Sequence, residues 1–319
     1  MPQEFNPHAP SVPGSLPAPL SDLGPGAHLT RRRFVGGLLA GAGGLMLAGA
    51  LPSAWAREGV ELGPPSNFSK MVSAPELENT ANLQYGQLKQ QASRQRALVS
   101  DDDPQVVRLR TIARRLIPFS HEWNPRARDW KWEINLIASD EVNAFCMPGG
   151  KIAFFTGLLE QLQLSDDEVA VVMGHEIAHA LREHIRAQQG KSKAVQGGED
   201  DMTSLLGKGK GGRHDLLSES SESTQQLLAL RFSRDDETEA DLLGMELAAR
   251  GGYDPQAAVT MLEKLSALSQ GGGGRMQILQ SHPLGPTRVR DVRASLPKVA
   301  GLYARAPKPD RKFGPPPKG

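Results

Sequence analysis

The stretch VMGHEIAHALREH, residues 172–184, sets His175 and His179 four apart, with Glu176 directly after the first histidine. On a helix that spacing stacks two imidazoles one turn apart on one face, where both rings can meet a single ion. Glu176 falls about 100° round the helix from His175, offset from the ion but within reach of a water bound to it. Two ligands and a base are therefore present, against the plainer reading of a partly exposed helix with solvated histidines. A catalytic zinc site takes a third protein ligand and keeps one position open. His184 lies five residues past His179, about 140° round the same helix, and is read as a surface residue. A three-histidine version of the motif would need Gly at Arg182 and His at Ile185, which leaves a carboxylate from another helix as the remaining route.

The segment SRDDETEADLLG, residues 233–244, offers Glu237, Glu239 and Asp241. Glu237 and Asp241 share a helix face, while Glu239 points away from it. Together with Leu230, Gly244 and Ala248 they form one inward stripe, so two acids stand on an otherwise apolar or small surface. Such burial is costly without partners. A cation with its imidazoles would supply them; a salt-bridged face involving Arg234 is the alternative.

Several elements must position these groups. Ser165 followed by Glu168 is a capping box, and Val169, Val172, Met173, Ile177 and Ala180 then repeat at helical spacing, so the histidine helix buries one side. The acidic helix is expected over 224–250, ended by Gly251 and Gly252, with another from Asp254-Pro255 to Leu268. DWKWEINLIAS alternates Trp130, Trp132, Ile134 and Leu136 with polar residues, the pattern of a half-buried strand. GGKIAFF, residues 149–155, is a second strand after the turn at Pro148. Residues 74–117 read as packing helices, with RLRTIARR as a solvated basic face. The fold class is α+β, mostly helical, with a small sheet whose edge strand borders the active-site helix.

The chain has 319 residues with 37 basic and 36 acidic side chains, a balance that leaves no surplus field for nucleic acid. Cys146 is the sole cysteine, so any metal must be held by histidine and carboxylate, and Cys146 itself is read as a small buried apolar residue. Residues 1–56 read as a disordered start followed by an export leader. Arg31 to Arg33 precede a Gly/Ala/Leu run and the triplet Ala54-Trp55-Ala56, resembling a twin-arginine signal, with periplasmic delivery as the expectation. An uncleaved N-terminal anchor is the alternative, and it keeps peripheral association with the membrane open. Residues 57–73 are expected to be a linker, 74–296 the folded domain with a flexible insertion at 188–222, and 297–319 a disordered Pro/Lys-rich tail whose preceding short helix stops at Leu296.

NAFCMPGGKIAFFTGLL, HEIAH, SRDDETEAD and SHPLGPTR, in that order, resemble the zinc metallopeptidases of family forty-eight, which includes HtpX, the CAAX prenyl proteases and BepA. The likeness spans roughly Glu76 to Leu296. It implies a gluzincin fold in which His175, His179 and Glu237 bind one Zn2+ per chain, Glu176 activates water, and Asp241 donates a proton or supports a ligand from behind. It also implies that His282 of the HP turn approaches the metal as a latent fourth ligand, with Arg288 completing that motif. The chain lacks the membrane helices of HtpX and the C-terminal repeats of BepA, so a compact periplasmic member is expected. Its expected work is protein quality control, as a zinc metalloendopeptidase that cuts misfolded or unassembled cell-envelope proteins. Unfolded or extended polypeptide would add as a strand along the GGKIAFF edge, near Gly150, Ile152 and Arg288. Asn143 would bond substrate backbone or cap a turn. A chaperone-like binder on the same fold, and a different zinc hydrolase such as an amidase, are the alternatives; an intact Glu176 argues against the first.

Overall fold

The computed structural model describes residues 57–195, 230–270 and 276–317. The leader expected within residues 1–56, most of the expected insertion and the first residues of the expected 224–250 helix lie outside them. Among the described residues no helix is long and apolar enough to cross a membrane.

The sheet has three short strands, β1 (Glu133–Ile137), β2 (Ala144–Met147) and β3 (Lys151–Phe155), in the order β1-β3-β2. β1 runs parallel to β3, with Glu133 opposite Lys151 and Ile137 opposite Phe155, whereas β2 pairs antiparallel, Ala144 opposite Phe154. The β2–β3 turn needs glycine twice: Gly149 and Gly150 have φ of 86° and 78°, and a Cβ on Gly150 would sit 2.7 Å from the Trp132 ring. GGKIAFF is therefore the central strand, paired on both sides, and cannot take a substrate strand. The edge that borders the histidine helix is β2, which at four residues carries no alternation to announce it.

Sheet burial also departs from simple alternation. Every residue of β1 except Glu133 is buried, because both faces are covered. One face meets the main core through Trp132, Ile134, Leu136, Ile152 and Phe154. The other meets Tyr85, Leu88, Phe145, Ala153 and Phe155 in a second cluster beneath α1 (Ala74–Arg94). Asn135 is tolerated there because its amide donates to the Tyr85 hydroxyl at 3.0 Å.

Around the sheet stand α2 (Pro104–Leu116), α3 (Thr156–Gln161), α4 (Asp166–Leu181), α5 (His184–Val195), α6 (Arg234–Arg250), α7 (Ala257–Gln270), α8 (Gln277–Ser281) and α9 (Arg288–Arg305). The Ser165/Glu168 capping box starts α4 as read from the sequence, and α6 begins at a second one, Ser233 with Asp236, later than expected. From Glu168 to Leu181 every residue of α4 is buried, so it is the central helix of the domain rather than a one-sided surface helix. It packs most extensively against α6. At their crossing the backbones touch: a Cβ on Gly174 would lie 2.6 Å from the Gly244 carbonyl oxygen, and one on Gly244 2.5 Å from the His175 nitrogen.

Three further expectations are corrected. Arg108, placed on a solvated face, is fully buried, its Nε donating to Asp166 at 2.7 Å and a terminal nitrogen to the Leu164 carbonyl at 2.6 Å. The segment 57–73 is no free linker: Val60 is buried with its N–H on Glu246, and the 3-10 turn Asn67–Met71 packs on α5. The last helix continues past Leu296 through Pro297 to Arg305, because Val299 is buried and Leu302 and Tyr303 pack on the core. Beyond it, the Phe313 and Gly314 N–H groups donate to Asp166 at 2.7 and 3.2 Å. Pro/Lys-rich composition hid both the helix and the docked tail.

Replacing Gly244 by Ala must push α4 and α6 apart, and overpacking of this kind costs about 1–3 kcal/mol. The expected result for Gly244→Ala is a lower urea midpoint of unfolding; an unchanged midpoint would mean that the crossing has room to spare.

Candidate metal centre

Four buried side chains, His175, His179, Glu237 and His282, each bring one possible ligand atom within 4.8 Å of the others. The two histidines of α4 come from adjacent turns, Glu237 from the first turn of α6, and His282 from the residue after α8. Asp241, one turn beyond Glu237, stands 3.0 Å from His175 Nδ1. A carboxylate there accepts, so Nδ1 carries the proton and His175 Nε2 offers a bare lone pair to the centre. That Nε2 lies 3.1 Å from His179 Nε2, 3.3 Å from His282 Nδ1 and 3.6 Å from Glu237 Oε2. Glu237 Oε1 is 3.4 Å from His179 Nε2 and 3.0 Å from His282 Nδ1.

Lone pairs of two imidazoles and a carboxylate converging this closely repel unless a positive charge sits among them. Arg288 supplies part of it: Nε and Nη2 grip Asp241 at 2.7 Å each, and Nη1 stands 2.8 Å from Glu237 Oε2. The last contact is off the hydrogen-bond line, so Glu237 Oε2 is ion-paired yet lacks a hydrogen bond, as does the buried Glu176 Oε1. Two buried carboxylate oxygens without hydrogen bonds are expensive. A divalent cation explains both, and this mixed nitrogen and oxygen donor set suits a transition metal better than calcium or magnesium.

The protein groups already bias one another. Burial pushes the Glu176 carboxyl up, only partly opposed by His282 and His175. Burial also acts against ionised Glu237 and Asp241, but the histidines beside Glu237 hold it well below the carboxylate range, and the Arg288 guanidinium holds Asp241 down. His179 is pushed down by burial, whereas Glu176 and Glu237 overcome burial to raise His282.

The structure thus brings together His175, His179, Glu237, Asp241, Glu176 and His282, whose Nε2 is 3.7 Å from Glu176 Oε1. Asn143 also belongs here. It lines, with β2, Glu176, His282 and Phe232, an open pocket beside the site, and its carbonyl accepts the Phe155 N–H at 3.2 Å. Gly150 and Ile152 do not belong: Ile152 is fully buried in the central strand, its carbonyl taken by the Tyr85 hydroxyl. Arg288, expected at the substrate, is buried and holds the two acids instead. It also replaces Arg234 as their partner.

His184 is the largest departure. It is buried rather than at the surface, with Nδ1 2.9 Å from His179 Nδ1. One continuous helix would turn it about 140° from His179, but α4 ends at Leu181, and Glu183, at φ 57°, turns the chain into α5. Glu239, expected to point away, accepts from Arg182 at 2.7 Å and lies 3.4 Å from His184 Nε2. Phe232 also belongs to the site: its ring lies 3.9 Å from that of His179 and 5.1 Å from that of His282. A lone aromatic just before a capping serine is the only sequence signal it leaves.

A mostly helical domain with a small sheet, and with histidines and a glutamate meeting across α4 and α6, is a metallopeptidase fold of the gluzincin type. The chain belongs to Peptidase family M48, whose profile matches residues 105–296. It is 39% identical over 159 residues to the mitochondrial metalloendopeptidase OMA1 of Arabidopsis thaliana, covering 49% of this chain and 30% of that protein. To OMA1 of Schizosaccharomyces pombe it is 32% identical over 177 residues, 54% of this chain and 48% of the relative. To the beta-barrel assembly-enhancing protease of Escherichia coli K12 it is 30% identical over 163 residues, 50% of this chain and 33% of the relative. The chain therefore spans between about a third and a half of the length of these relatives.

Removing Arg288 leaves two buried acids without their guanidinium, and breaking a buried pair costs about 3–5 kcal/mol. After treatment with chelator, Arg288→Gln should unfold at markedly lower urea than the parent. Asp241 and Glu237 are held below their unfolded values, so their stabilisation is complete above the ordinary carboxylate range, about pH 4–5, and is lost as pH falls through the folded values. The parent's advantage over Arg288→Gln should accordingly shrink on acidification; a gap that widens instead would contradict the pairing.

Proposed function

We propose that the protein is a zinc-dependent endopeptidase in which His175, His179 and Glu237 hold the metal and Glu176 is the general base. The observation that carries this reading is the buried Glu176 oxygen, without a hydrogen bond, beside three converging ligand groups and an edge strand. Bound zinc would supply Lewis acidity to the scissile carbonyl and to water. Glu176 would take the proton of the attacking water at Oε1 and return it to the departing amine. Asp241 would keep His175 in the tautomer that faces the metal, and Arg288 would keep Asp241 ionised.

Substrate would extend the sheet at β2, which has a neighbouring strand on one side only, with Asn143 at the start of that edge. Backbone pairing of this kind favours extended or unfolded polypeptide and loose sequence preference. A second, mostly apolar pocket, lined by Leu77, Trp130, Pro148, Ala180 and Ile185, adjoins His179 and would be the place for an apolar side chain of the substrate. His282, already against Glu237 and near Glu176, would close the fourth position until substrate displaces it.

Misfolded or unassembled cell-envelope proteins are the proposed clients. Arg31 to Arg33 ahead of a Gly/Ala/Leu run are the sequence feature that favours export to the cell envelope, and the similarity to a beta-barrel assembly-enhancing protease points the same way. The OMA1 relatives are named as mitochondrial metalloendopeptidases, and the similarity to them covers about half of this chain.

Casein cleavage should stop with chelator, return with zinc, and fall about 10²- to 10⁴-fold in Glu176→Gln, the usual contribution of a general base. Undiminished cleavage by that variant would remove the peptidase reading. His282→Ala should cleave faster than the parent, and an equal or slower rate would dismiss the latch.

A further inference from the structure

We propose that His184 is a positioning residue for the metal site: its ring, oriented by Glu239, fixes the tautomer of His179 and so determines whether His179 can bind zinc. This inference rests on the metallopeptidase reading and adds to it a residue outside the ligand set.

His184 presents Nδ1 to His179 Nδ1 at 2.9 Å, and Nε2 to Glu239 Oε2 at 3.4 Å and Asp236 Oδ1 at 3.7 Å. A neutral imidazole has one N–H and one lone pair. Two carboxylates beside Nε2 draw the proton there, which leaves His184 Nδ1 bare. Two bare nitrogens at 2.9 Å would repel, so His179 must put its own N–H on Nδ1. That choice frees His179 Nε2, the nitrogen that faces His175 and Glu237. With the opposite tautomer, His179 would point an N–H at the centre and could not ligate. Arg182 anchors the far end of the chain of contacts by donating to Glu239 at 2.7 Å.

The backbone is bent to make this contact. Glu183 holds φ 57°, a left-handed conformation that non-glycine residues adopt at a cost. Arg186 grips the Glu183 carboxylate at 2.8 Å through one guanidinium nitrogen, which holds the bend. Without it α4 would continue and His184 would face another direction. The two α4 histidines are thus supported differently, His175 by the carboxylate of Asp241 and His179 by a second imidazole backed by a carboxylate.

The test is zinc affinity, measured by competition with a chromogenic chelator on the full chain, with circular dichroism as the check on folding. His184→Leu should weaken zinc binding about 10- to 100-fold, the usual effect of losing a group that orients a ligand. His184→Asn, whose side-chain oxygen can stand near the Nδ1 position as an acceptor, should recover most of the affinity. Rescue by an acceptor is not expected if His184 only fills space. Glu239→Ala, at a partly exposed position, should give a smaller loss and carries the test should His184→Leu not fold. Parental affinity in every variant that folds, or equal losses in His184→Leu and His184→Asn, would overturn the inference while leaving the metallopeptidase reading intact. A parent chain that binds no zinc would sink both.

Discussion

Backbone contact between α4 and α6 at Gly174 and Gly244 is the constraint on which the site depends. Helices carrying ordinary side chains pack with axes about 8–10 Å apart. Two glycines at the crossing remove the intervening side chains, and the peptide of His175 lies against Gly244. Only with that approach can Asp241 reach His175 at 3.0 Å and Glu237 reach the space between the imidazoles. The distance between the two helices is thus itself part of the site, and it is set by residues with no functional group.

The close approach concentrates charge where water cannot screen it. Glu176, Glu237 and Asp241 are all buried within one small volume, and Arg288 is the guanidinium that faces two of them. The result is a graded environment rather than a neutral one: burial raises Glu176, while its neighbours Glu237 and Asp241 are held ionised by histidines and by Arg288. Carboxylates of one chemical type separate into a group suited to carrying a proton and groups suited to holding a cation, because each meets a different partner. His282 sits between these roles, against both Glu237 and Glu176, which is the position a latch requires.

Much of this was legible from spacing alone. HEIAH identified two imidazoles on one helix face with a base set beside them, and the four-residue interval between Glu237 and Asp241 identified two acids on one face of another helix, because helical periodicity is local and survives any tertiary arrangement. The capping box at Ser165 located the start of α4 for the same reason. Sheet order was not legible, since GGKIAFF reads as a strand whether it lies at the edge or in the centre, and β2 is too short to show a period. Arg108 and the residues after Leu296 misled because charge and Pro/Lys content report average exposure, whereas a single buried partner such as Asp166 overrides the average.

Residue types and intervals therefore determined which groups could act and on which helices they would stand, since those properties depend only on the chain within a few turns. Tertiary structure decided which of them meet. It joined Arg288 to Asp241 across 47 residues, put β2 and not β3 at the edge beside the histidine helix, and returned His184 to His179 by a bend at Glu183. Those outcomes come from contacts between segments distant in sequence and from one non-helical φ angle, neither of which any periodicity encodes.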